Sequence, residues 1–238
     1  MGLKISVLKL YSGESATIFT FDEPRAVLEQ KGFEVQLWTE PPTAAVLAAE
    51  LASACQLWVI STNHNVLGAD HCRAIQAFFR AGGGLYLWGD NAPYFADVNA
   101  LLKPGAPWDL GLGGVQLTGN ELGQQMLTVA DANGWAAGQR RQSFSPGHLL
   151  TTGLGRMLEG NTISWLEGEG VPLLEPLCYS SGGNLLCAAY DRDGRRAVID
   201  GGYTRLYGSN WGRSVGSPRF VVNSATWLAN SENQDRER

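Results

Sequence analysis

Continuous apolar runs alternate with amphipathic segments over the first hundred residues. The apolar runs predict buried strands, and apolar residues at three- and four-residue spacing predict helices. This alternation indicates right-handed βαβ units, and therefore a parallel sheet that is covered by helices on both faces. In chain order, the predicted elements are strand 4–11, helix 23–31, strand 33–38, helix 43–54, strand 56–61, helix 70–80, strand 85–88 and helix 93–102.

After Lys103 the pattern changes to short apolar runs that are separated by glycine-rich turns. These runs predict short strands, which we expect to extend the sheet in antiparallel fashion or to form a small β layer. The aspartates and the glycine at 191–194 are typical of a hairpin turn. The predicted elements are strands 115–118, 126–129, 162–166, 173–178, 185–190 and 196–200, followed by a closing helix over 218–230.

The predicted fold class is α/β: a flavodoxin-like three-layer sandwich with a mainly parallel central sheet and a β-rich extension in the second half. We expect a single domain over residues 1–230. It would comprise a βαβ core (1–103), a β-rich elaboration (104–195) and a closing strand, loop and helix (196–230). The charged residues 231–238 are expected to form a frayed tail.

Composition narrows the class of protein. The 238 residues are 44% hydrophobic and 17% charged, which favours a packed core, and the net charge of −5 argues against a nucleic-acid-binding protein. The four cysteines form no Cys-x-x-Cys pair, so we expect no metal centre. No apolar segment approaches the ~20 residues of a membrane helix, and no signal peptide is evident. We therefore expect a cytoplasmic protein with reduced thiols and no membrane association.

Polar residues collect where the predicted parallel strands end. Asp90 and Asn91 form a tight turn after the buried strand 85–88, and Asn63 and His64 follow the preceding strand. In open α/β sheets, ligands bind at the carboxyl ends of the strands. The candidate ligand-binding residues are Glu14, Asn63, His64, Asp90, Asn91, Asp200, Tyr203 and Arg205.

Asp90 has several interpretations. Its carboxylate could cap the helix predicted to begin near Pro93, which is the more common role of an aspartate before a helix. It could instead act as a general base together with His64. An acidic cluster with Glu14, Asp22 and Asp200 could hold Mg²⁺ or Ca²⁺, but the spacing follows no metal motif, so we predict no metal site. Elsewhere, the arginines at 140–141 lie in a glycine-rich loop and are expected to be solvated.

Three segments carry a resemblance to known families. The helix, glycine turn, short strand and sharp turn of residues 78–93 resemble the class I glutamine amidotransferase-like fold. The sequence His148-Leu-Leu-Thr-Thr-Gly-Leu154 resembles the His-Pro-x-Thr-x-Gly segment of branches without amidotransferase activity. Those branches include ThuA-like proteins and a domain of an intraflagellar transport protein. Residues 198–207 and 223–230 resemble a domain of bacterial proteins that carry, or are encoded near, von Willebrand factor A domains.

The resemblance implies a fold but not its best-known chemistry. Catalytic members place a cysteine at the turn after the strand, where this chain has Gly89-Asp90-Asn91, and a histidine and a glutamate on a late loop, where it has no histidine. The resemblance therefore implies a binding domain without catalytic activity or cofactor. Its expected partners are a small polar or sugar ligand, a von Willebrand factor A domain protein, or a second copy in a homodimer.

Two enzymatic alternatives remain. A hydrolase or sugar-modifying enzyme of ThuA-like type would use Asp90 and His64. An ordinary class I amidotransferase would need Cys55 or Cys72 as its nucleophile, although neither follows a predicted strand.

Overall fold

The computed structural model describes residues 3–11, 20–212 and 216–229. Its helices are α1 (Asp22–Gln30), α2 (Ala44–Leu51), α3 (Ala69–Arg80), α4 (Ala96–Leu102), α5 (Ala132–Ala136), α6 (Gly208–Trp211) and α7 (Ser217–Leu228). Its strands are β1 (Leu3–Lys9), β2 (Phe33–Trp38), β3 (Gln56–Ile60), β4 (Gly84–Trp88), β5 (Gln116–Leu122), β6 (Met126–Val129), β7 (Ser143–Phe144), β8 (Arg156–Leu158), β9 (Thr162–Glu167), β10 (Glu175–Tyr179), β11 (Leu185–Arg192) and β12 (Arg195–Asp200).

Ten of these strands form one sheet in the order β2-β1-β3-β4-β12-β11-β10-β7-β6-β8. The first five in this order run parallel to one another. From β12 onward the sheet continues through the antiparallel strands β11, β10 and β7. Strands β5 and β9 pair separately as a two-stranded antiparallel sheet. The predicted α/β class, with a mainly parallel centre and a β-rich extension, is confirmed.

The central strands are buried on both faces, which explains their continuous apolar sequences. Every residue of β3 and β4 is buried. Successive side chains of a strand point to opposite faces. Trp58 and Tyr86 accordingly lie in the cluster with Phe220 of α7, whereas Leu57 lies in the cluster with Phe79 of α3. The sheet is thus packed between two helical layers.

Close packing of α7 against β4 requires a glycine at position 84. Helix α7 approaches this strand so closely that a Cβ at Gly84 would lie 2.5 Å from the carbonyl oxygen of Leu228. Of the three consecutive glycines 82–84, only Gly82 has a positive φ, of 90°. At Gly84 the glycine is required for space.

The helix boundaries are partly as predicted. Thr43 caps α2, accepting a hydrogen bond from the Val46 N–H (3.3 Å). The prediction that a helix starts at Pro93 is wrong, because turn hydrogen bonds from Tyr94 N–H to Asn91 O (2.8 Å) and from Phe95 N–H to Pro93 O (2.7 Å) precede it. The Ala92–Pro93 bond in this turn is cis. Within the described ranges, no helix is both long enough and apolar enough to cross a membrane.

The second half contains every predicted strand; the ends of strand 126–129 are as predicted, and each of the other strands is shifted at one or both ends. The hairpin turn between β11 and β12 is confirmed, with φ values of 53° and 72° at Asp193 and Gly194. β10 begins two residues late because a 3₁₀ turn occupies Val171–Leu173. The sequence missed the short strands β7 and β8, which are only two and three residues long.

Candidate functional site

Asp90 lies two residues beyond β4, at the carboxyl edge of the sheet, and is fully buried. Its Oδ2 accepts a hydrogen bond from the Tyr11 hydroxyl (3.0 Å) and its Oδ1 accepts one from the Thr162 hydroxyl (2.9 Å). The interpretation of Asp90 as a helix cap is wrong, because α4 begins only at Ala96 and no side chain caps it. Instead, Asp90 connects the end of β1 to the beginning of β9.

Four tyrosines form an aromatic cluster beside Asp90, here called the tyrosine cluster: Tyr11, Tyr94, Tyr203 and Tyr207. The Tyr11 ring stacks on Tyr94 with centroids 4.7 Å apart, and lies 5.0 Å from Tyr203 and 6.4 Å from Tyr207. Tyr94 is half-buried and the other three are buried. Aromatic pairs at these distances stabilise one another beyond the area they bury, so the cluster holds the Tyr11 hydroxyl in place.

Burial controls the protonation of this site. Desolvation raises the pKa of Asp90 to about 6, although hydrogen bonds from Asn91, Thr162 and Tyr11 oppose this rise. Burial, together with the nearby Asp90 charge, also raises the pKa of Tyr11 far above its usual range. Tyr11 therefore stays protonated and donates its hydrogen bond, while Asp90 titrates close to neutral pH.

Asp200 and Arg205 form a fully buried ion pair beneath the site. Both terminal nitrogens of Arg205 bind the carboxylate, each at 2.9 Å. Asp200 also accepts hydrogen bonds from the Tyr86 hydroxyl (3.2 Å) and the Gly202 N–H (2.8 Å). The structure thus places these two predicted ligand-binding residues in the interior, where they fix the loop that carries Tyr203.

The other predicted ligand-binding residues make no side-chain hydrogen bond with the Asp90 carboxylate in the described part of the chain. His64 is exposed, and its Nδ1 lies 2.7 Å from Asn63 Oδ1. Among the described residues, no hydrogen bond joins His64 to Asp90, so the acid–base pair is not assembled. The Asn91 side chain donates to Asn120 Oδ1 (3.1 Å). Glu14 lies outside the described residues.

Neither a metal centre nor a reactive thiol is evident at this edge. In the described part of the chain, no three His, Cys, Asp or Glu side chains come close enough together to hold a metal ion. Cys55 precedes β3, at the opposite end of the strands from Asp90. Cys72 is buried in α3, and burial raises its pKa to about 11. The geometry therefore offers no thiolate nucleophile at either position.

His148 has a structural role here. Its Nδ1 accepts a hydrogen bond from the Leu150 N–H (3.1 Å), which caps a short 3₁₀ turn. Its ring packs edge-on against Trp227 of α7 at 5.4 Å.

Sequence reasoning missed Tyr11, Tyr94, Thr162 and Tyr207. Tyr11 carried a signal, because it ends the first apolar run at a strand end where polar groups bind ligands. Thr162 carried no such signal in the sequence. It begins β9, which belongs to the separate two-stranded sheet, and only the tertiary packing brings it to Asp90.

Comparisons with known proteins show the fold. No protein-family model matches the sequence, and no curated protein matches it. A ThuA-like protein from Parabacteroides merdae aligns over 96% of this chain and 90% of its own, with 12% identity and a TM-score of 0.59.

Two β-galactosidases also share the fold. The enzyme from Rahnella sp. R3 aligns over 98% of this chain, with 13% identity and a TM-score of 0.56. The enzyme from Bacillus circulans aligns over 97%, with 12% identity and a TM-score of 0.50. This chain spans only 31% of the length of each. At such identities the comparisons establish only that this chain shares its fold with the ThuA-like protein and with part of each β-galactosidase.

Proposed function

We propose that this chain is a non-catalytic binding domain that recognises a small polyhydroxylated ligand, such as a sugar, at the carboxyl edge of its sheet. The observation that carries the proposal is the arrangement at the turn after β4. There Asp90 replaces the cysteine expected of catalytic relatives, and it binds the hydroxyls of Tyr11 and Thr162 beside the tyrosine cluster. No thiol or imidazole in the described part of the chain is hydrogen-bonded to it.

The hydrogen-bond directions favour a ligand rich in hydroxyl groups. Thr162 donates its single hydroxyl proton to Asp90, so its oxygen is left with lone pairs that accept. Thr162 is half-buried and therefore within reach of a ligand. A sugar hydroxyl donates to such an acceptor, and the partly exposed Tyr94 ring offers an apolar face for its C–H groups.

Calorimetric titration with monosaccharides tests this binding. The β-galactosidases sharing the fold make D-galactose the first probe, followed by D-glucose and D-mannose. Thr162→Val preserves the side-chain shape but removes the hydroxyl, so we expect affinity to fall about tenfold. Thr226→Val is the matched control, since Thr226 is exposed on α7. Failure of all three sugars to bind, or equal affinity in Thr162→Val, would contradict the proposal.

One observation favours an enzyme instead. A carboxyl group that titrates near pH 6 can both donate and accept a proton under physiological conditions, as a general acid or base must. This supports the ThuA-like hydrolase or sugar-modifying enzyme as the second candidate, with Asp90 as the proton-transferring group.

Turnover of p-nitrophenyl β-D-galactopyranoside separates the two candidates. Hydrolysis that is lost in Asp90→Asn, with the fold intact, would establish the enzyme and overturn the non-catalytic assignment. His64→Ala then tests the expected acid–base pair. Because His64 is exposed and is not hydrogen-bonded to Asp90, we expect that variant to keep any such activity.

A further inference from the structure

A cavity lies in the β-rich extension, between the loop that follows α5 and the turn that follows β10. Its volume is about 420 Å³, which is sufficient for a small ligand. Two adjacent arginines line it, and none of its lining residues is acidic. The lining consists of Gly138, Gln139, Arg140, Arg141, Tyr179 and Gly183.

Arg140 is held rigidly at this cavity, contrary to the expectation that it is simply solvated. Its Nε donates to the carbonyl oxygen of Trp135 (2.9 Å) and its Nη1 to the Tyr179 hydroxyl (3.4 Å). The guanidinium also lies over the two rings, 5.2 Å from the Trp135 centroid and 5.8 Å from the Tyr179 centroid. A guanidinium that is already immobilised loses little conformational entropy when it binds a ligand.

Arg141 adds a second set of donors. Its Nε donates to the carbonyl oxygen of Ser181, and within the described residues its terminal nitrogens make no hydrogen bond. Neither Arg140 nor Arg141 has a carboxylate partner in the described ranges.

Carboxylates on neighbouring loops are engaged elsewhere. Asp131 caps α5 through the Gly134 N–H (2.8 Å), and Glu121 accepts from Asn184 (3.2 Å). Two arginines and no carboxylate thus line the cavity, on a protein whose net charge is −5.

We propose that this cavity binds an oxyanion group, phosphate or carboxylate, of a small ligand. Arg140 and Arg141 would supply paired N–H donors, since the planar guanidinium matches both groups in bidentate fashion. The cavity opens at the same edge of the sheet as Asp90, because β10 ends beside the start of β11, which pairs with the end of β12. Three strand spacings separate β10 from β4, which is roughly 14 Å.

The oxyanion site stands independently of the proposed sugar site. The two use different residues, and no variant that tests one alters a group of the other.

Titration calorimetry at low ionic strength, with inorganic phosphate and with citrate as probes, tests the oxyanion site. We expect at least one probe to bind the wild-type protein. The probe that binds more tightly shows whether the site prefers a phosphate or a carboxylate group. Arg140→Gln and Arg141→Gln should each weaken binding about tenfold, since each removes charge-assisted hydrogen bonds. Arg80→Gln is the control, because Arg80 is exposed in the last turn of α3, and it should bind as the wild type does.

Two further comparisons keep the test decisive. Arg140→Lys retains the charge and the aliphatic stem but loses the planar fork, so full affinity in this variant would overturn the bidentate arrangement. Thermal unfolding shows whether Arg140→Gln loosens the Trp135–Tyr179 packing. If it does, the affinity of Arg141→Gln tests the proposal instead, because the Arg141 side chain is exposed and its substitution should leave the packing intact. The proposal fails if neither anion binds the wild type, or if binding survives both glutamine substitutions.

Discussion

Burial of the Asp90 carboxylate lowers the free energy of unfolding at neutral pH. Its pKa of about 6 in the folded protein lies above the value of about 3.9 in an unfolded chain, so folding disfavours its charged form. Well below pH 4 the carboxyl group is protonated in both states, so its ionisation does not affect stability. As the pH rises from about 4 to about 6 the unfolded state ionises first, and stability falls. Above pH 6 the loss is constant at roughly 3 kcal/mol.

A neutral isostere at this position should therefore stabilise the protein, but only above the titration range. We expect Asp90→Asn to raise the free energy of unfolding at pH 7.5 by about 1–3 kcal/mol, and at pH 4 by no more than about 0.5 kcal/mol. The gain is less than the full desolvation cost because the amide accepts hydrogen bonds at only one of its two polar atoms. Urea denaturation at the two pH values measures the difference.

Asp70→Asn is the matched control for this effect. Asp70 is exposed in the first turn of α3, so its substitution should change stability by less than about 0.5 kcal/mol at either pH. A destabilisation by Asp90→Asn that is equal at pH 4 and pH 7.5 would show that the carboxylate is not strained by burial.

At the scale of elements, the buried ion pair fastens the loop after β12 to the strand end. Arg205→Met would leave the Asp200 carboxylate buried without its cation, at a cost of about 3–5 kcal/mol. In the double variant Asp200→Asn/Arg205→Met no buried charge remains, so we expect it to recover part of that loss. Chemical denaturation of the three proteins measures both effects, and a double variant less stable than Arg205→Met would contradict this explanation.

The hairpin that joins β11 to β12 depends on its turn residues. Gly194 adopts a φ of 72°, a conformation that costs other residues about 1–2 kcal/mol. Gly194→Ala should therefore lower the free energy of unfolding by about that amount. Gly155→Ala is the control: Gly155 is exposed, has no positive φ, and a Cβ there would meet no atom within 4 Å. Equal effects of the two substitutions on thermal unfolding would exclude the turn conformation as the cause.

The sequence predicted the helices and strands better than it predicted the residues around Asp90. Apolar runs located β3 and β4 because both faces of these strands are buried, so almost no polar residue interrupts them. The predicted start of α4 was wrong because a turn over residues 91–95 intervenes, and the hydrogen bonds of this turn leave no periodic pattern in the sequence. The two residues that donate hydrogen bonds to Asp90, Tyr11 and Thr162, lie 79 and 72 residues away in the sequence, so only the tertiary fold brings them together.

At the scale of the whole molecule, the first and last parts of the chain complete one sheet. Strand β4 has β3 on one side and β12 on the other, although β12 follows it by more than a hundred residues. Helix α7 then covers one face, packing against α1 as well as against β4. The carboxyl edge that carries Asp90 is therefore built from both ends of the chain, and an isolated βαβ core would lack one wall of the site.

This arrangement predicts that the βαβ core cannot fold alone. A fragment of residues 1–103 would leave the long edge of β4 unpaired and would expose the apolar face that Phe220, Val221 and Leu228 cover. We expect this fragment to show poor amide dispersion in a ¹H–¹⁵N NMR spectrum and no cooperative thermal transition, whereas the full chain unfolds in one step. Far-ultraviolet circular dichroism alone would not decide, since helices persist in collapsed states. A dispersed spectrum and a cooperative transition for residues 1–103 would instead establish that the core is a domain of its own, with the β-rich elaboration and the closing segment docked onto it.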